Sequence, residues 1–188
     1  LWEGYPEETN APYGIAKKAL MQMIISYKEQ YGFNGVNLIP VNMYGPNDNF
    51  DPAISHVIPA LILKFDEAIK SNKKEVVVWG SGSASREFLF VEDCAEAIVA
   101  AMEQHNDPQP VNIGTGKEIT IRDLVALISE KMGYTGEIVW DTSKPDGQPR
   151  RCLDTSRAKE FGFEAETSLS EGLEDTIEWF NDNRNNLF

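Results

Sequence analysis

Short strand-like runs alternate with helix-period segments along most of this chain, and that alternation restricts it to an α/β fold. A cap at Thr9 or Asn10, with Pro12 in the opening turn, predicts a first helix that runs to about Tyr31 and stops at Gly32. Residues 36–41 read as a short apolar strand that leads into the turn Tyr44-Gly45-Pro46-Asn47-Asp48. Residues 58–70 are helical in pattern, and residues 75–79 form a strand closed by Gly80-Ser81-Gly82. Ala95, Ile98, Val99 and Met102 mark one face of the next helix. Val111-Asn112-Ile113 is a strand ending at Gly114-Thr115-Gly116, and Thr120 caps a helix carrying Ile121, Leu124, Val125, Ile128 and Met132. Ile138-Val139-Trp140 is a further strand, and Ser168 or Ser170 opens a last helix with Leu169, Leu173, Ile177 and Phe180. Strands separated by helices predict parallel pairing.

Composition narrows the partners. With 188 residues, the chain is long enough for a real core. Thirty acidic residues against seventeen basic ones leave a net charge of -13, which argues against nucleic acid or an anionic membrane as a partner. No run approaches the ~18 apolar residues of a membrane span. Cys94, Cys152, His56 and His105 are scattered without metal-ligand spacing, so no metal site is expected, and so few cysteines fit the reducing cytoplasm. Residues 1–6 lack a basic start followed by an apolar run, so they do not read as a signal peptide, and the chain reads as one entered partway through.

Five stretches carry chemistry. Tyr13 and Lys17 lie four residues apart and share a helix face. A free phenol ionises near pH ~10, and an ammonium beside it favours the phenolate, so such a pair suits proton exchange with a carbonyl or alcohol. A solvated helix face is the other reading. Asn42-Met43-Tyr44-Gly45-Pro46 follows a strand, where open α/β sheets place ligands; it is also an ordinary Gly-Pro turn pattern. His56, in Ser55-His56-Val57-Ile58-Pro59-Ala60, is either an acid/base group or a structural histidine at a helix start. Arg86, in Arg86-Glu87-Phe88, is suited to bidentate phosphate binding or to a structural salt bridge. Residues 144–151 hold Lys144, Arg150 and Arg151 in a turn-rich loop, a candidate anion clamp in an acidic chain. The two glycine turns read as tight turns or, less simply, as a dinucleotide loop. No helix begins after Gly80-Ser81-Gly82, and Gly114-Thr115-Gly116 lacks a third glycine, so tight turns are the plainer reading.

In this order, Tyr13-x-x-x-Lys17, Asn42-Met43-Tyr44-Gly45-Pro46, Arg86-Glu87-Phe88 and Asn112-Ile113-Gly114-Thr115-Gly116 resemble the C-terminal part of the extended short-chain dehydrogenases/reductases, the NAD-dependent epimerase/dehydratase family. Asn47-Asp48-Asn49-Phe50, the Ser55-His56 run and Ser143-Lys144-Pro145-Asp146-Gly147 are similar to its GDP-L-fucose synthase branch. That branch epimerises GDP-4-keto-6-deoxy-mannose at carbons 3 and 5 and reduces carbon 4 with NADPH. The resemblance implies a Rossmann-type α/β fold whose N-terminal cofactor-binding strands are missing. Residues 1–50 would end the Rossmann-type domain, and 51–188 would mainly bind the nucleotide sugar. It implies Tyr13 as proton donor at the carbon-4 oxygen, Lys17 as its partner and ribose ligand, and His56 as acid in epimerisation. Pro40, Val41, Asn42, Met43, Lys17 and His56 would contact NADP(H), and Lys64, Trp79, Arg86 and Asp146 the GDP-sugar. The family's active-site Ser, its Cys base and its glycine-rich loop precede the Tyr motif and have no counterpart in this sequence. The chain alone is therefore expected to be inactive, to bind no NADP(H) tightly, and to pair as a homodimer through the Tyr13 helix. Another nucleotide-sugar epimerase or dehydratase, and a stand-alone nucleotide-sugar-binding module, are the alternatives.

Overall fold

The computed structural model describes residues 3–6 and 8–187, with Thr9 described through its backbone only. Leu1, Trp2, Glu7, Phe188 and a capping role for the Thr9 side chain lie outside the described residues. Helix α1 (Ala11–Tyr31) has proline in its first turn, and Gly32 ends it in a left-handed conformation (φ 66°). Asn10 occupies the cap position but makes no capping side-chain bond; a short 3-10 turn, Glu8–Asn10, leads into the helix instead.

The strand predicted over 36–41 is realised only at 38–40, and an unpredicted strand follows it at 42–44 in a different sheet. Strand β1 (Leu38–Pro40) pairs in parallel with β5 (Val111–Ile113). Strand β2 (Asn42–Tyr44) pairs in parallel with β4 (Ser85–Phe90). Pro40 has no N–H to extend the first ladder, and Val41 donates its own N–H to Ile113 at 2.9 Å as the chain crosses over. Helix α2 (Val57–Lys70) follows, then β3 (Glu75–Trp79), which pairs in parallel with β7 (Glu137–Asp141).

Strand β4 is absent from the sequence reading, because Arg86 and Glu87 interrupt its apolar run. It is nevertheless the seam of the molecule. Its second half pairs with β2; its first half pairs with β6 (Glu118–Thr120) and with β8 (Arg150–Arg151). The β4–β6 pairing is antiparallel, so the expected all-parallel pairing holds for the other ladders only. Helices α3 (Val91–Gln104), α4 (Ile121–Lys131) and α5 (Leu169–Asn183) complete the element list. Thr120 caps α4 by accepting from the Asp123 N–H, and Ser168 with Glu171 forms a capping box on α5.

Two apolar clusters hold the elements together. One joins α2, α4 and α5 to β2, β3 and β4, with Ile62, Phe65, Leu124, Leu173 and Phe180 fully buried. The other packs α3 and the 156–161 turn on β1 and β5. Both clusters draw on residues either side of position 50, through Tyr44 and Phe50 in the first and Val41 in the second. The face of α3 that packs is Cys94, Ala97 and Ala101, whereas Ile98, Val99 and Met102 are exposed. Small side chains let the helix approach the strands closely, and the larger ones are left on the outside. Phe180 is 0% exposed and its ring lies 4.8 Å from that of Phe50. Phe180→Ala is expected to cost about 3–5 kcal/mol, read as a fall in the urea midpoint at unchanged slope.

Candidate functional site

The fold gathers Tyr13, residues 40–43 and His56 about the end of β1 and along β2, near the strand ends at which open α/β sheets take ligands. Tyr13 projects from the first turns of α1 and is 60% exposed. Together with Pro40, Val41, Asn42, Met43, His56 and Arg151 it lines a cleft of about 460 Å³. A second cleft, of about 350 Å³, is lined by Asn42, Met43, His56, Arg86, Phe88 and Asp146. Asn42, Met43 and His56 belong to both, so the two clefts adjoin along β2 and the start of α2.

Two tyrosines border the first cleft, and they differ in chemistry. Tyr44 is 3% exposed and directs its hydroxyl to the Leu169 carbonyl at 3.5 Å. Burial, then the negative charges of Asp93 and Asp175, push its ionisation far above the ordinary phenol range, so it is unsuited to proton exchange. Tyr13 is open to the cleft, and the Lys17 ammonium stands 5.4 Å from its ring centre. The helical spacing of the pair produces that contact.

His56 occupies the cap position of α2 without giving a side-chain capping bond, so its imidazole is not committed to holding the helix. Asn42 donates from its amide to the Glu87 carbonyl at 3.3 Å, which fixes β2 against β4. Arg86 makes no ion pair among the described residues, and its guanidinium donates there to the adjacent Ser85 carbonyl at 2.6 Å. The salt-bridge reading of Arg86 therefore has no partner there.

Three predicted residues, Lys64, Trp79 and Lys17, are not among those lining either cleft. Lys64 donates to the Val77 carbonyl of β3 at 2.9 Å, and desolvation lowers its pKa. Trp79 is 68% exposed at the end of β3, with the Lys144 ammonium 5.6 Å from its ring centre. Lys17 touches Tyr13 but is not among the residues lining either cleft. Arg151, read in sequence only as part of a basic loop, does line the Tyr13 cleft, brought there by the pairing of β8 with β4.

The two glycine turns are filled by the chain's own carboxylates. Glu87, 0% exposed, accepts from the Gly116 N–H at 2.8 Å and the Leu153 N–H at 2.7 Å. A Cβ at Gly114 would collide with that carboxylate. Asp146 takes the equivalent place at the other turn, where a Cβ at Gly80 would strike its Oδ1. A carboxylate in each turn repels a phosphate, so neither is a pyrophosphate cradle. The Tyr13 cleft holds a phenol and an imidazole beside residues 40–43, an arrangement suited to the nicotinamide end of a dinucleotide. Glu87 was missed because a charged residue beside Arg86 reads as surface. The run Phe88-Leu89-Phe90 that follows it, all buried, was the available signal.

A family model described as the NAD dependent epimerase/dehydratase family matches residues 3–114. The chain belongs to this family. It is 46% identical over 193 residues to the GDP-L-fucose synthase of Escherichia coli (strain K12), across 98% of this chain and 60% of that protein. It is also 46% identical over 183 residues to the probable GDP-L-fucose synthase 1 of Oryza sativa subsp. japonica, across 97% of this chain and 56% of that protein. Among solved structures, the GDP-L-fucose synthetase of Naegleria fowleri bound to NADP superposes with a TM-score of 0.90 at 30% identity, over 98% of this chain and 60% of that one. The chain thus spans 56–60% of the length of these relatives. Its fold is the Rossmann-like α/β fold of the extended short-chain dehydrogenases/reductases.

Proposed function

We propose that these residues form the substrate side of an NADP-dependent GDP-4-keto-6-deoxy-mannose 3,5-epimerase/4-reductase, an enzyme of GDP-L-fucose synthesis, working within a protein of the relatives' full length. The observation that carries this reading is the pair of clefts sharing Asn42, Met43 and His56. A sugar lying against His56 has Tyr13 on one side, and its diphosphate has the Arg86 guanidinium on the other. Residues 1–50 form the end of the Rossmann-type domain and carry Tyr13 and Lys17, and residues 51–188 mainly bind the nucleotide sugar and also carry His56.

Tyr13 gives its hydroxyl proton to the carbon-4 oxygen as that carbonyl becomes an alcohol. Lys17, over the Tyr13 ring, stabilises the phenolate left behind and reaches the nicotinamide ribose. His56 donates a proton to the sugar carbon that an enzymic base has deprotonated, which inverts the centre when donation comes from the opposite face. The backbone and side chains of residues 40–43 hold the nicotinamide, which supplies the hydride to carbon 4 when bound. Arg86 meets the diphosphate, and Asp146 accepts from the ribose or base. We assign Lys64 and Trp79 to the same ligand, which requires them to turn toward the cleft on binding. A homodimer through α1 is part of this reading: Leu20, Met23 and Tyr27 are each about half exposed on that helix. Two free thiols, Cys94 and Cys152, favour the cytoplasm. Among the described residues, no helix is long and apolar enough to cross a membrane.

The test uses two preparations. A full-length protein containing these residues, given GDP-4-keto-6-deoxy-mannose and NADPH, is expected to consume NADPH and yield GDP-L-fucose. The 188-residue chain by itself is expected to show no saturable fluorescence change with NADPH, because the pyrophosphate supplies much of a dinucleotide's affinity. Turnover only with a different keto sugar would move the assignment to another member of the family. Micromolar NADPH affinity of the chain would overturn the division of labour.

A further inference from the structure

Residues 142–149 join β7 to β8 and run beside the 80–85 turn, tied to it at three points. At the start, the Gly80 N–H donates to the Asp141 carbonyl at 2.9 Å. At the end, the Ser85 N–H donates to the Pro149 carbonyl at 2.9 Å, and Arg150 pairs with Glu118 at 2.9 Å. Between these anchors the main tie is Ser81, with the Gly82 N–H as a weaker second donor to Asp146. The Ser81 N–H donates to Asp146 Oδ1 at 2.6 Å and its hydroxyl to Asp146 Oδ2 at 2.8 Å.

Ser81 is itself held. Its carbonyl accepts from the Arg122 guanidinium, which stacks on Trp140 at 4.5 Å from the ring centre. Its hydroxyl oxygen accepts from the Ser83 N–H at 3.2 Å. Both neighbours of Ser81 are glycines with positive φ, and a Cβ at Gly82 would come within 2.6 Å of Trp140. The turn is therefore clamped between Asp146 on one side and Arg122 with Trp140 on the other. Hydrogen bonds from the Ser81 hydroxyl and N–H keep the Asp146 carboxyl below the usual carboxylate range. An ionised carboxylate only accepts, and it has about four lone-pair sites; Ser81 engages two, and the Gly82 N–H bears weakly on the carboxylate as well. The rest are available to a ligand's hydroxyls.

We propose that Ser81 is a positioning residue: by fixing Asp146 it sets residues 142–149 as the wall opposite Arg86 and thereby governs affinity for a ribose-diphosphate ligand. The wall is close to Arg86, since an ideal Cβ at Gly147 would lie 3.6 Å from Arg86 Nη2. Asp146 and Arg86 line the same cleft. A segment free between two anchors would leave Asp146 many arrangements, and ordering them on binding would lower affinity. Ser81 settles that arrangement before the ligand arrives. The proposal rests on reading this cleft as the nucleotide-sugar side.

GDP is the probe, titrated by calorimetry into a full-length protein that contains these residues. Hydrogen exchange of residues 142–149 is followed without ligand. Ser81→Ala is expected to weaken GDP binding about tenfold, the scale of one charge-assisted hydrogen bond, and to speed exchange across 142–149. Ser81→Thr, which keeps the hydroxyl, is expected to return both to near wild type. Arg86→Ala is expected to weaken GDP binding and leave the exchange unchanged. If Ser81→Ala binds GDP as wild type does while Arg86→Ala does not, the cleft reading stands and the positioning role is wrong. If wild type does not take up GDP, or Arg86→Ala binds it unchanged, the cleft reading falls and the proposal falls with it. Asp146→Asn breaks the same link from the other side and is expected to reproduce the faster exchange; unchanged exchange in both variants also overturns the proposal.

Discussion

Tyr13→Phe, made in a full-length protein that contains these residues, is expected to lower carbon-4 reduction by roughly 10²–10⁴ while solvent deuterium still enters carbons 3 and 5. The loss corresponds to about 3–5 kcal/mol of transition-state stabilisation. The substitution removes one hydroxyl from a side chain that is 60% exposed, so the fold has little to lose. Tyr44, the other phenol beside the cleft, cannot take over. It is buried, its ionisation is pushed up, and its hydroxyl faces a backbone carbonyl across the first apolar cluster. If Tyr13→Phe reduced the keto sugar at the wild-type rate, the proton would have to come from elsewhere, and the reading of the Tyr13–Lys17 pair as a solvated helix face would be restored. Separate assays decide the matter: NADPH consumption for reduction, and proton exchange at the two sugar carbons for epimerisation.

How much of this was legible in the sequence depends on how local each determinant is. The end of α1 at Gly32, the caps at Thr120 and Ser168, and the strand Glu75–Trp79 follow from neighbouring residues, and all were readable. The break at Val41 was not, because it depends on which strands sit beside residues 38–40 and 42–44. Nor was β4, whose charged start looks like a loop until Glu87 is seen buried against the Gly116 and Leu153 N–H groups. The packed face of α3 was misread for a related reason. Hydrophobicity marks Ile98, Val99 and Met102, but closeness of approach selects Ala97 and Ala101. At the site, Tyr13, residues 40–43 and His56 were readable as motifs, and the sharing of two clefts was not. The turn at Ser81 looked like mere punctuation, because the carboxylate that fills it comes from 65 residues further along.

His56→Gln is expected to reverse the pattern of Tyr13→Phe. If His56 supplies the proton in epimerisation, that step should slow by the ~10²–10⁴ of a lost general acid. Reduction of a keto sugar offered in already epimerised form should continue, because Tyr13 and residues 40–43, proposed to hold the nicotinamide, are untouched. The structural reading of His56 makes a different forecast, and the geometry says how small the structural stake is. The imidazole is at the start of α2 and exposed, and it gives that helix no capping bond. The helix is held instead by Ile58, Leu61, Ile62 and Phe65 in the first apolar cluster. Losing the imidazole should therefore change unfolding stability by no more than about 0.5 kcal/mol, the range of a surface substitution without special contacts. Glutamine is close in size and polar, but it neither gains nor gives up a proton near neutral pH. A slow epimerisation step in a protein of unaltered stability would leave proton transfer as the explanation. A fall in thermal stability with both steps slowed alike would assign His56 to the scaffold and leave the acid to be found elsewhere.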